Sequence, residues 1–356
     1  MAKIRILIVD DAVVFRRLIA NELANDPALE VVGTAANGRI ALARMMQVNP
    51  DLVILDVEMP EMDGLATLAE LRKTHRHLPV IMFSTVTERG AAATLDALAL
   101  GASDYFPKPA EAGGLEASLA VIREQMIPKI KALCSAATSR TASPAPVAVA
   151  APAARTPARS ATVEVVAIGT STGGPNALAE VLPRLPGDFP VPVVIVQHMP
   201  PMFTRLLADR LSAQSALRIQ EGSPGTVLQP GFAWIAPGDH HMTVVRDGTR
   251  VQLQLNQEAP ENSCRPAADV LLRSVASVFG ASSLAVIMTG MGQDGLRGCE
   301  AIREAGGQVL VQDEATSVVW GMPGHVARAG LADRVLPLSL IANEIVRRVG
   351  TAKTKG

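Results

Sequence analysis

Short apolar runs of four to six residues recur along this chain, each followed by a stretch with apolar residues at helical spacing. The runs are Ile4–Val9, Val31–Ala35, Asp51–Leu55, Val80–Phe83 and Ser103–Phe106, and helical patterns cover 12–25, 37–47, 65–73, 90–100 and 114–132. A run without polar alternation suits a strand buried on both faces. Strand–helix alternation of this kind packs as a parallel sheet with helices on both sides. The pattern resumes at Val163–Ile168, Pro192–Val196, Phe232–Ile235, Leu284–Met288 and Gln308–Val311, with an inserted hairpin at Thr243–Arg246 and Val251–Leu255. The predicted fold class is therefore α/β, with two doubly wound parallel-sheet domains.

Between the two series lies CSAATSRTASPAPVAVAAPAARTPARSA, residues 134–161, with four prolines, three arginines and no acid. Such a composition reads as an extended, flexible linker. The predicted division is 1–125, a linker over 126–161, and 162–350.

Charge and cysteine usage narrow the function classes. The formal net charge is -1, so no global basic field favours nucleic acid. Cys134, Cys264 and Cys299 are odd in number and widely spaced, which argues against a disulfide framework or a paired-cysteine zinc site. The N-terminus reaches Asp10-Asp11 too early for a signal peptide, and no run approaches the ~20 apolar residues of a membrane span. A cytoplasmic protein is expected.

Sites in doubly wound sheets lie at the carboxyl ends of the strands. In the first series Asp10 and Asp11 follow strand one, Asp56 ends strand three, Ser84 ends strand four and Lys108 follows strand five. Carboxylates gathered at one edge repel unless they share a hard cation, and Mg2+ needs only one or two of them plus a phosphate oxygen. The set suits phosphoryl transfer to a carboxylate.

Residues 1–125 resemble the receiver domains of two-component response regulators through Asp10-Asp11, Asp56, Ser84, Tyr105 and Lys108. The resemblance implies a flavodoxin-like fold and phosphorylation of Asp56 by a histidine kinase. Asp11, Asp56 and the Glu58 carbonyl would hold Mg2+, with Asp10 supporting. Ser84, Tyr105 and Lys108 would report the phosphorylated state.

The second series carries Gly169-Thr170-Ser171-Thr172-Gly173-Gly174 between a strand and a helix. This G-x-S-x-G turn can expose a serine nucleophile above a sheet. A base is then required. His198 ends a strand 27 residues later, and Asp294 in MTGMGQDG follows another. Ser171, His198 and Asp294 would form a nucleophile, base and orienting acid. Ser171…Asp294…His325 is a rival set in the chain order of α/β-hydrolases. His75 and His77 read as solvated, and His240 and His241 follow a turn. Cys264 beside Arg265 reads as structural, because a nucleophilic role would need a nearby base.

The stretches AIGTSTGGP, VIVQHMPPMF, IAPGDHHM, IMTGMGQDG and VQDEATSVVWGMPG, within 163–338, are similar to the catalytic domain of chemotaxis protein-glutamate methylesterases of the CheB type. The order of receiver, linker and esterase is also that family's. The resemblance implies Ser171 as nucleophile, His198 as base, Asp294 as orienting acid, Thr172 as a positioning residue and the Met291 N–H in the oxyanion hole. It implies hydrolysis of glutamyl γ-methyl esters, and deamidation of glutamines, on methyl-accepting chemotaxis receptors. No cofactor is expected for hydrolysis, and the receiver would hold the esterase down until phosphorylated. Thr170 and Cys264-Arg265-Pro266-Ala267 depart from the family's common Ala and His-Arg-Pro-Ser. Neither departure is expected to touch the three reacting residues.

Overall fold

A computed structural model describes residues 3–109, 114–141 and 162–350. Two compact units divide at Ser143/Pro144. The first holds β1 (Ile4–Val9), β2 (Leu29–Ala35), β3 (Leu52–Asp56), β4 (Val80–Ser84) and β5 (Asp104–Pro107). They form one parallel sheet in the order β2-β1-β3-β4-β5. Every residue of the central strands β3 and β4 is buried, four apolar residues in each followed by a polar one, Asp56 and Ser84, whereas the edge strand β2 carries exposed Glu30 and Thr34. The chain moves from β1 outward to β2, then crosses to β3. That reversal opens a crevice at the carboxyl ends of β1 and β3.

The linker reading needs a correction at its start. Residues 122–126 form a π-helical turn, and an α-helix runs Ile127–Thr141. Ile122, Met126, Ile127, Ile130, Leu133 and Cys134 are buried. Their spacing is that of an amphipathic helix packed on a core, as the helical pattern over 114–132 predicts, and the helix continues past that pattern to Thr141. Lys129 and Lys131 fasten it to Asp104 and Asp26, each at 2.6 Å. The remainder of the predicted linker, 142–161, lies outside the described residues.

The second unit contains β6 (Val165–Thr170), β7 (Val193–Gln197), β8 (Arg218–Glu221), β9 (Phe232–Ile235), β10 (His241–Asp247), β11 (Arg250–Asn256), β12 (Ser283–Ile287), β13 (Gln308–Gln312) and β14 (Arg334–Leu336). Seven of these make a parallel sheet in the order β14-β13-β12-β6-β7-β9-β8, and β10 and β11 pair as the antiparallel hairpin. Val165, Val166, Ala167, Val193, Val194 and Ile195 are fully buried at its centre. Burial of each larger aliphatic side chain contributes about 1.5–3 kcal/mol. Strands β12, β6 and β7 are consecutive neighbours, so their three carboxyl-end loops emerge side by side. The edge strands β8 and β14 escape the sequence reading. Each has a single buried residue, so neither shows an apolar run.

Candidate active site

Ser171 follows β6 directly. Its N–H donates to the Thr289 carbonyl (3.1 Å) beyond β12, and the His198 N–H after β7 donates to the Thr170 carbonyl (3.2 Å). Gln197 ties the same turns together. Its amide nitrogen donates to the Ser171 carbonyl (3.0 Å), and its oxygen accepts from the Thr170 hydroxyl (2.7 Å). Glycine is needed in the turn. Gly173 has φ +77°, and a Cβ there would sit 2.6 Å from Val318. A helix then starts at Gly174 and runs to Val181.

Asp294 is buried and accepts from five donors. Oδ2 takes the Ala268 N–H (2.6 Å) and His198 Nε2 (2.7 Å). Oδ1 takes the N–H groups of Asp269 (2.9 Å) and Gly295 (3.0 Å) and the Asn262 amide (3.1 Å). Two of these N–H groups open the helix Ala268–Phe279, whose positive end favours an anion. Burial alone would raise the Asp294 pKa. His198 and the backbone donors outweigh it and hold the carboxyl below its ordinary value. An ionised Asp294 fixes the imidazole proton on Nε2, so the lone pair lies on Nδ1.

That nitrogen faces Cys264, whose Sγ is 3.5 Å away. The expectation that neither sequence departure touches the reacting residues is therefore corrected. Cys264 contacts His198, and Thr170 braces Gln197. A loop after the hairpin brings Cys264 in, which no sequence spacing could show. Burial lowers the His198 pKa, but Cys264 and Asp294 together overcome this and push it up.

Among the described residues, no hydrogen bond joins the Ser171 hydroxyl to His198, and the N–H groups of Thr172 and Met291 have no hydrogen-bond partner. Thr172 is buried, and its carbonyl accepts from the Thr289 hydroxyl (2.9 Å). The rival His325 is exposed on the helix Met322–Arg328, and no side-chain bond brings it to Ser171 or Asp294. His241 is committed elsewhere, between Ala259 and Ala267. Sequence reasoning missed Gln197, Asn262 and Asp269. Burial raises the Asp269 pKa to about 6 even though the Gly298 N–H and Asn262 stabilise its charge.

In the first unit, ligand atoms of Asp10, Asp11 and Asp56 all lie within 4.8 Å of one another. Lys108 Nζ lies 2.9 Å from Asp10 Oδ2 and 2.8 Å from Asp56 Oδ2, and sits 4.9 Å from the Phe15 ring centroid. Both carboxylate oxygens are buried without an aligned hydrogen bond. Burial raises the Asp10 pKa and pushes that of Asp56 up to about 6, despite Lys108. Underneutralised oxygens at this spacing fit a hard divalent cation. The Glu58 N–H points to Asp56 Oδ1 (3.4 Å), and its side chain lies near Arg89. The Ser84 hydroxyl donates to the Gly90 carbonyl (3.1 Å), and Tyr105 is buried beside Asp104, where burial lifts its pKa well above the usual value.

Fold and sites together define a class: a response regulator whose second domain is a parallel-sheet α/β enzyme. The profile described as CheB methylesterase matches residues 166–345, and that of the response regulator receiver domain matches 6–120. A protein-glutamate methylesterase/protein-glutamine glutaminase of Trichodesmium erythraeum is 56% identical over 352 residues, covering 98% of this chain and 100% of its own. One from Nocardioides sp. is 51% identical over 362 residues, covering 98% and 96%. The crystal structure of the Thermotoga maritima CheB methylesterase catalytic domain is 42% identical with a TM-score of 0.52, over 52% of this chain and 99% of that one. The chain belongs to the protein-glutamate methylesterase/protein-glutamine glutaminase family and is a carboxylic ester hydrolase with a receiver domain. Among the described residues, no helix is long and apolar enough to cross a membrane.

Proposed function

We propose that this protein hydrolyses glutamyl γ-methyl esters, and deamidates glutamines, on methyl-accepting chemoreceptors in the cytoplasm, for sensory adaptation. The observation that carries this reading is the 2.7 Å bond between Asp294 and His198, on loops flanking the Ser171 turn. Ser171 Oγ attacks the ester carbonyl as its proton passes to His198 Nδ1. The Met291 N–H, with that of Thr172, donates to the oxyanion. The tetrahedral intermediate collapses as His198 returns the proton to the leaving methoxide, releasing methanol; with an amide, ammonia leaves. Water then gives a proton to His198 and attacks the acyl-enzyme, freeing glutamate and restoring Ser171. Asp294 holds the ring and stabilises its charged form. The contact between Ser171 and His198 forms as substrate enters, as catalytic hydrogen bonds often tighten only in the complex.

The receiver governs this activity. Asp56 accepts a phosphoryl group from a chemotaxis histidine kinase, and Ser84, Tyr105 and Lys108 respond to it. Asp11, Asp56 and the Glu58 carbonyl would hold Mg2+, supported by Asp10. The cation would screen the phosphoryl oxygens. Mass spectrometry of a methylated receptor fragment, with and without acetyl phosphate, tests the whole reading. The intact chain removes methyl groups faster with the phosphodonor, Asp56→Asn loses that response, and Ser171→Ala loses at least a thousandfold in rate. Retention of methyl removal by folded Ser171→Ala would overturn it.

A further inference from the structure

Cys264 is the one cysteine of the three that is not buried. Its loop is pinned by reciprocal backbone bonds with Glu261 (2.9 and 3.1 Å), which hold the thiol over the imidazole. The base is anchored from the far side by Asp294, so its free lone pair points to sulfur. A thiol donating to a carboxylate-oriented imidazole is the arrangement that generates a nucleophilic thiolate. We propose that Cys264 is a reactive thiol that shares His198 with Ser171, so that covalent capture of Cys264 by a soft electrophile shuts off hydrolysis. In the capture step the S–H proton moves to His198 Nδ1. Sulfur bonds to the electrophilic carbon and the leaving group departs with its electron pair. The added group then occupies the approach of Ser171 to Nδ1.

The competition has a direct consequence at rest. While Cys264 engages Nδ1, Ser171 has no base, so Cys264 is a positioning residue that delays activation of the serine. Besides Asp294, the charged groups around the pair are Glu261, bound to Arg273, Arg265, bound to Asp239, and Asp269, linked through Asn262. Each has a partner of its own, which leaves the imidazole as the thiol's only close proton acceptor among the described residues.

Iodoacetamide is the probe, applied to the full chain at pH 6 and read by peptide mass spectrometry. Cys264 is expected to be alkylated at least tenfold faster in wild type than in His198→Gln, with buried Cys134 and Cys299 as internal controls. Equal rates in the two proteins would overturn the shared-proton reading. The inhibition arm rests on the esterase reading above and uses p-nitrophenyl acetate hydrolysis. Activity should fall in step with Cys264 alkylation, while Cys264→Ala treated identically should keep its own rate. Full labelling with undiminished hydrolysis would overturn the shut-off. The pH–rate profile should move in Cys264→Ala, because the thiol contact at Nδ1 is lost, and an unmoved profile counts against shared use of His198. If wild type hydrolyses nothing, the esterase reading fails by itself and the labelling comparison still decides the thiol.

Discussion

Asp294→Asn tests the geometry most severely, because the two side chains have the same shape and differ in what they can accept. Both oxygens of Asp294 receive donors only, three at Oδ1 and two at Oδ2. An asparagine can keep its carbonyl oxygen at the Oδ1 position and satisfy three of them. Its NH2 then points at the Ala268 N–H and at His198 Nε2. The first is a clash of donors that strands a buried N–H, costing about 1–3 kcal/mol. Loss of the charge at the helix start adds about 0.5–1 kcal/mol. We expect a total loss of about 2–4 kcal/mol in urea unfolding. The second contact matters more for activity. Nε2 can accept from the amide only if the imidazole proton moves to Nδ1, the nitrogen that must act as base. The wrong tautomer should lower kcat by roughly four orders of magnitude. Folded Asp294→Asn hydrolysing within tenfold of wild type would refute the assignment of Nδ1 as the working nitrogen.

Other perturbations probe the support of each site. A Cβ at Gly174 would overlap Gln197 Oε1 and Thr170, so Gly174→Ala should displace the brace between the serine and histidine turns. We expect hydrolysis to fall about 10–100-fold from misplacement alone, with secondary structure by circular dichroism retained. Asp56 has its pKa raised from 3.8 to about 6, so the folded receiver binds a proton that the unfolded chain releases. Its contribution to stability falls as pH rises through that window, and Asp56→Asn in EDTA should gain up to about 3 kcal/mol at pH 7.5 and little at pH 4. Equal gains at both pH values would count against burial as the cause. Glu344 is held down at about 2, chiefly by Arg347, then Arg348 against the cost of burial. Its stabilisation is present above the ordinary carboxylate range and fades as pH falls toward 2. Glu344→Gln should therefore cost about 1–2 kcal/mol at pH 7, allowing for the 65% exposure of Arg347, and the gap in urea midpoint should close on acidification.

By itself the sequence determined the class of fold, because buried parallel strands must be apolar throughout and amphipathic helices must cover them. It also placed Asp56 and Ser84 at strand ends, and Asp10, Lys108, Ser171, His198 and Asp294 after strands, since loop position follows from strand order. Edge strands β8 and β14 were invisible because strands paired on one side need few apolar residues. The part of the helix Ile127–Thr141 beyond residue 132 was hidden for a related reason: its few apolar residues are diluted by alanine and serine. Loop position left His198 and His325 open and resemblance favoured His198; the tertiary structure shows His198 beside the serine turn, because β7, not the strand leading to His325, is hydrogen-bonded to β6. It alone decided that Cys264, 66 residues from His198 along the chain, takes the imidazole's second nitrogen. Periodicity records which way a side chain faces its own sheet or helix, whereas hydrogen-bond partners depend on how separate loops converge in space.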